Sequence, residues 1–270
     1  IIFHLGGWAA VFYLFGALGF FWGAWWFISY MRDSSTDMKE VETTGAKKGL
    51  SIPWAAFVRN PQFWALTVAH FTWNYFSYGL LAWLPSFLAS AMGVTLSKSS
   101  FLSILPYLST VIVTALIAPL AGELEAKKKL TRTQIRKGSQ TLCFGVGAVT
   151  LTMIGLIVNA TPVAAVTNQT IGMVVGLLSV TFGFAAFIRT GLFCGHQDLS
   201  PKYASIMLGV TNTAAAIAST LSTFFTGLFL SMTGGNWAYS LFFPIAALQL
   251  VSVFVFLIWK SDPVDFDAVA

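Results

Sequence analysis

Seven apolar stretches, each of roughly 20 residues or more, constrain this chain more than any other feature, because a run of that length is what an α-helix needs to cross a hydrocarbon layer about 30 Å thick. They fall at about 7–30, 62–89, 100–122, 138–158, 171–198, 202–230 and 236–259. Strands of a membrane barrel would alternate every second residue, and these runs do not. Composition agrees: 56% of the 270 residues are hydrophobic and 9% are charged, against about 25% charged in soluble domains. The expected fold class is therefore an all-α integral membrane protein with about seven transmembrane helices.

The net charge of +5 is no signal for nucleic acid, because the cations are concentrated in alternate loops. The stretch 31–61 holds Arg32, Lys39, Lys47, Lys48 and Arg59, and 123–137 holds Lys127, Lys128, Lys129, Arg132, Arg136 and Lys137. The second loop has Lys98 alone, while 159–170 and 231–235 have no lysine or arginine. By the positive-inside rule the two basic loops, the corner at 199–201 and the C-terminal tail share the cytoplasmic side, or the stromal side of an organelle. The chain opens on Ile1-Ile2 without methionine and reads as a fragment. Cys143 and Cys194 lie inside apolar runs and read as small packing residues. The sequons at Asn159 and Asn168 matter only if their loop faces a secretory lumen.

The expected organisation is a first helix over 1–30, a cytoplasmic central loop over 31–61, a six-helix bundle over 62–260 and an acidic tail over 261–270, expected to be disordered. Pro106 and Pro119 are expected to interrupt the third span. Gly172 with Gly176, and Gly191 with Gly195, are spaced to let helices approach closely.

Polar residues inside the spans carry the functional clues. Arg189 is sunk in the fifth run, about 15 Å from the corner Leu199-Ser200-Pro201, which is near mid-membrane. An arginine there needs a partner or an aqueous cavity, and an exchangeable anion or a structural pairing would each serve. Seven residues on, His196 is expected to share its face. His70, Asn74 and Tyr78 recur every four residues as one polar stripe, which lines a cavity or glues helices together. Asp198 is placed to tie down the corner. Glu123 and Glu125, beside six cations, form either a latch between helices or a solvated loop. His4, His70 and His196 show no metal-ligand spacing, so neither an enzyme nor a cofactor is expected.

Several blocks carry a resemblance: Gly7-Trp8 with Phe12 through Gly16, Ile52-Pro53-Trp54, His70-Phe71 with Asn74 and Tyr78, Leu80 through Pro85, and Leu105-Pro106-Tyr107. The most specific is His196 through Ser205 with Gly209 through Thr213. On these the chain resembles the anion:cation symporter branch of the major facilitator superfamily, which includes sodium–phosphate, vesicular glutamate, sialic acid and plastid phosphate or ascorbate transporters. The resemblance implies a twelve-helix transporter, of which this chain would be the sixth helix and the complete C-terminal half, with the N-terminal half of the same protein as its partner. It implies transport of inorganic phosphate or a small organic anion, with ascorbate, glutamate and sialic acid as alternatives, by alternating access coupled to Na⁺ or H⁺. A transport-inactive truncated or regulatory protein of the same fold is the competing reading. Arg189, Asn74, Tyr78 and His70 would bind the anion, and His196, Asp198, Gly209, Asn212 and Glu123 would serve gating or packing. Arg189 stands at a position usually uncharged in the family, and Trp73 where the glutamate transporters carry an arginine. The wording of the strongest block points to a plastid envelope or thylakoid membrane.

Overall fold

The computed structural model describes residues 2–33 and 52–269. The described chain is helical and divides into two units, split after Ile52. The first is a single helix, α1 (Ile2–Asp33). The central loop expected at 31–61 lies largely outside the described residues, and its described part beyond Ile52 includes a short helix, α2 (Trp54–Arg59).

The second unit is the bundle. Its first long helix, α3 (Pro61–Ser90), starts where Asn60 accepts hydrogen bonds from the amides of Gln62 (2.8 Å) and Phe63 (3.2 Å), with Pro61 opening the first turn. The third span comes in two pieces, α4 (Leu96–Leu102) and α5 (Ile104–Ala126). The interruption falls at Ser103, ahead of Pro106, and the helix runs on through Pro119. The loop expected at 123–137 is mostly helix, because α6 (Arg132–Thr141) begins at a capping box made by Thr131 and Gln134. Charged residues that extend a helix past the apolar layer look like loop to a hydropathy reading. A π-helical segment, Leu142–Val146, joins α6 to α7 (Gly147–Ala160).

The fifth span departs most from expectation. It is α8 (Asn168–Ala185), a 3₁₀ turn Ala186–Arg189, two residues outside any helix, then α9 (Leu192–Leu199). After the corner come α10 (Ala204–Met232), a second π segment Ala238–Phe242, α11 (Phe243–Phe256) and a terminal turn, α12 (Phe266–Val269). Six segments among the described residues are long and apolar enough to cross a membrane. Helix α3, with 30 residues, is also long enough, at about 45 Å, but its polar and tryptophan-rich sequence dilutes its apolar character.

Helix α3 packs chiefly on α10 and α11, α5 on α8, and α7 on α8 and α11. The centre is a cluster including Phe76, Leu80, Leu84 and Phe87 of α3, Leu151 and Ile154 of α7, Leu178 and Phe182 of α8, and Leu241 and Phe242. Lipid tails are as apolar as leucine, so close backbone approach and buried hydrogen bonds must specify these pairings. A Cβ on Gly79 would collide with the Ser222 hydroxyl, which donates to the Tyr75 carbonyl at 2.7 Å. Thr150 and Thr181 join α7 to α8 at 2.7 Å, and Thr110 donates to the Phe182 carbonyl at 2.8 Å. Gly191 and Gly195 are close-contact positions, whereas Gly172 and Gly176 face open space.

Candidate functional site

Three contacts set the register between α3 and the broken fifth span. Leu66 reaches Gly195, His70 meets Phe193 with ring centroids 5.6 Å apart, and Phe76 meets Phe182 at 5.3 Å. One number rises as the other falls, so the segments run antiparallel. On this register Arg189 stands level with Trp73 and Asn74.

Arg189 is exposed, which corrects the expectation of an arginine sunk in a continuous helix. The reason is the break before α9. Gly191 has φ −90° and ψ −91°, outside the helical basin, and a Cβ there would lie 2.6 Å from Gln140 Oε1 and 3.3 Å from the Gln140 amide nitrogen. Only glycine allows that approach. The distortion re-aims the side chains on either side of it: Arg189, Phe193 and Gln197 are exposed while His196 is buried, so Arg189 and His196 do not share a face. Among the described residues Arg189 makes no salt bridge.

The stripe on α3 also divides. Each four-residue step overshoots a full turn by about 40°, so eight residues rotate the direction by about 80°. His70 is buried, Asn74 half-buried and Tyr78 exposed. His70 therefore points into the bundle, where its Nδ1 lies 3.0 Å from Thr211 Oγ1 of α10. His196 Nε2 lies 2.9 Å from the same oxygen. The two rings sit edge to face, 6.2 Å between centroids. Thr211 thus ties together α3, α9 and α10. Gly209 and Asn212 are exposed, and no neighbour lies within 4 Å of a Cβ added at Gly209. The residues of α10 that pack are Thr211, Ala215, Ala218 and Ser222.

One end of the bundle collects charge. Arg136, 8% exposed, donates from Nε to Asp198 Oδ2 at 2.7 Å and from Nη1 to the Thr190 carbonyl at 3.1 Å. Arg132 donates to Glu125 at 2.9 Å and lies 3.8 Å from Asp198. Of the two acids considered for a latch it is Glu125 that bridges helices. Glu123 pairs with Lys127 one turn away on the surface. The tail is docked, not disordered. Phe266 is 1% exposed, against Phe57 at 4.8 Å and Tyr203 at 6.4 Å. Val264 donates its amide to the Leu199 carbonyl at 2.8 Å, and the Ser261 amide donates to Thr133 at 3.0 Å. Lys202 and Tyr203 both donate to Asp267. Those bonds hold the Asp267 carboxyl below its ordinary 3.8, and the same carboxylate holds Lys202 above its ordinary 10.5. The start of α3, the start of α6, the corner and the tail therefore meet at one end, as the alternation of basic loops requires. At the other end Asn236 donates to Asn159 at 3.0 Å.

Sequence reasoning missed Thr211, Gln140 and Arg136. Thr211 was signalled only by falling inside the most specific block, and Arg136 by its place four residues after Arg132 on one face of a helix. Nothing local marks Gln140. Four concavities of 240 to 480 Å³ lie elsewhere on the bundle, and none includes Arg189, Asn74, Tyr78 or His70. Arg189 and Tyr78 are surface residues.

The sequence model of the Major Facilitator Superfamily matches residues 1–223. Among relatives, probable anion transporter 6, chloroplastic, of Arabidopsis thaliana is 33% identical, over 94% of this chain and 49% of that protein. The ascorbate transporter, chloroplastic, of Arabidopsis thaliana is 31% identical, over 94% of this chain and 45% of that protein. Sodium-dependent phosphate transport protein 1, chloroplastic, of the same plant is 30% identical, over 87% and 45%. The chain spans about half the length of these relatives. By this match and these likenesses the chain is a multi-pass membrane protein of the major facilitator superfamily, in its anion:cation symporter group.

Proposed function

We propose that this chain is the C-terminal half of a secondary transporter for a small anion, inorganic phosphate or an organic anion such as ascorbate, working by alternating access and coupled to Na⁺ or H⁺ in a plastid membrane. The observation that carries the reading is Arg189: an exposed guanidinium within a transmembrane segment, level with Asn74 on an antiparallel helix, with no carboxylate paired to it among the described residues. A cation at that depth is costly unless water or an anion meets it. Arg189 would attract the anion, Asn74 and Tyr78 would contact it, and the buried His70 would act from behind them. Anion names among the relatives and chloroplastic location in those names support the substrate class and the membrane. In the partner half, facing groups would complete the cavity.

The test is Arg189→Gln in the full-length transporter, reconstituted in liposomes and assayed with labelled phosphate and ascorbate. Uptake should fall at least about tenfold, as expected when a charged hydrogen-bond partner worth roughly 1.5–3 kcal/mol is lost. Unchanged uptake kinetics would sink the assignment.

A further inference from the structure

We propose that the His70–Thr211–His196 node is a single-proton site that couples anion movement to a proton gradient; this rests on the transporter reading above. Thr211 Oγ1 lies 3.0 Å from His70 Nδ1, 2.9 Å from His196 Nε2 and 3.2 Å from the Leu208 carbonyl. A hydroxyl has one proton and two lone pairs, so these three partners fill it. Whichever way the hydroxyl points, each ring keeps one nitrogen lone pair. One proton added to such a nitrogen forms an N–H bond and leaves one positive charge on the node. A second is opposed, because the rings are 6.2 Å apart in a low-dielectric interior.

The ligand is a proton and not an alkali cation by the chemistry of the donors. Hard cations take several oxygen ligands. Here there are two imidazole nitrogens, one hydroxyl and one carbonyl already engaged. The node also lies one side chain below the surface, since Phe193 covers His70 and is itself 38% exposed.

The surroundings supply the linkage. On α3 the other titratable residues nearby are Tyr75 and Tyr78. On α9, Cys194 and Asp198 flank His196, and Asp198 is held by Arg136. On the register set by Phe193 against His70 and Phe182 against Phe76, Arg189 and Asn74 share a level about 6 Å along α3 from His70. Helix α10 contributes no ionisable side chain. An unscreened charge buried here is costly, and an anion held at the level of Arg189 and Asn74 offsets it. The anion thus favours the proton, and by reciprocity the proton favours the anion, so the two bind together.

The experiment uses the full-length transporter in liposomes, with radiolabelled inorganic phosphate and, separately, ascorbate. In wild type an inward proton gradient should stimulate uptake. His196→Gln should keep anion counterflow, which needs no net proton movement, while the stimulation falls at least about tenfold. Retained counterflow also shows that the variant folds. Thr211→Val keeps both rings and nearly the same volume, and it covers a glutamine variant that fails to reach the membrane. It should shift the pH of half-maximal uptake. Stimulation that survives in His196→Gln, an unshifted pH profile for Thr211→Val, or wild-type uptake driven by Na⁺ alone each overturns the proposal while the transporter reading stands. Absence of any anion counterflow in wild type overturns both.

Discussion

Arg136 and Arg189 sit on neighbouring segments of the same bundle and differ in one respect, whether the fold has already answered their charge. Arg136 is 8% exposed, with Asp198 at 2.7 Å, the Thr190 carbonyl at 3.1 Å and Glu125 at 3.9 Å. Arg189 is exposed and makes no salt bridge among the described residues. The same side chain is therefore a structural tie in one place and an open electrostatic site in the other. Burial of an arginine, taken alone, points to stability; the pointer to a ligand is a cation that the surrounding structure holds in place and leaves unpaired.

The comparison can be broken most sharply at Asp198. Asp198→Ala leaves Arg136 buried without its main partner, and a stranded buried charge costs about 3–5 kcal/mol. Thermal unfolding in detergent should show that loss. A change below about 1 kcal/mol would mean that Arg136 is no more committed than Arg189. Gly191→Ala comes next. Its Cβ would collide with Gln140 at 2.6 Å, and overpacking of this kind costs about 1–3 kcal/mol. Because the residue two places away is Arg189, the apparent KM for the anion should rise as well; a stability loss without a KM change would detach the helix break from the site. Arg189→Gln itself should move stability by no more than about 0.5 kcal/mol, the range of surface substitutions, while transport collapses.

The smallest effect concerns the tail. Asp267 has its carboxyl held below 3.8 in the docked tail, so its contribution is complete above that pH and is lost as pH falls through the depressed value. Lys202, held above 10.5, contributes fully below that pH and loses its share as pH rises through the raised value. Proteolysis of the tail should stay constant from about pH 5 to 9 and increase only at the acid and alkaline extremes. Asp267→Asn should remove that response.

The periodicity of hydropathy carried the architecture well, because length and apolarity are summed over many residues and tolerate local error. The same holds for the shared end of the bundle, where the starts of α3 and α6 meet the corner and the tail. Faces were less legible. Placing Arg189 beside His196 assumed an unbroken helix, and nothing in Ala185-Ala186-Phe187-Ile188-Arg189 announces a change of winding; the break comes at Gly191, packed close against Gln140 of another helix. Likewise His70 and Tyr78 look aligned in the sequence but have turned about 80° apart. Thr211 was invisible because a threonine in a small-residue helix gains meaning only when two histidines from other helices converge on it. The tail offered a cue, one aromatic among acidic residues at Phe266, which overall charge outweighed.

That docked tail has a mechanical consequence. Phe266 bears on Phe57 before the first helix of the bundle and on Tyr203 after the corner, while Ser261 reaches α6 and Lys260 donates its amide to Gln62. Segments distant in the chain are thus cross-braced into one plate. If the bundle rocks during a transport cycle, this plate travels as a unit, and a pair of spin labels placed within it, for example at Arg59 and Asp262, will record a constant separation.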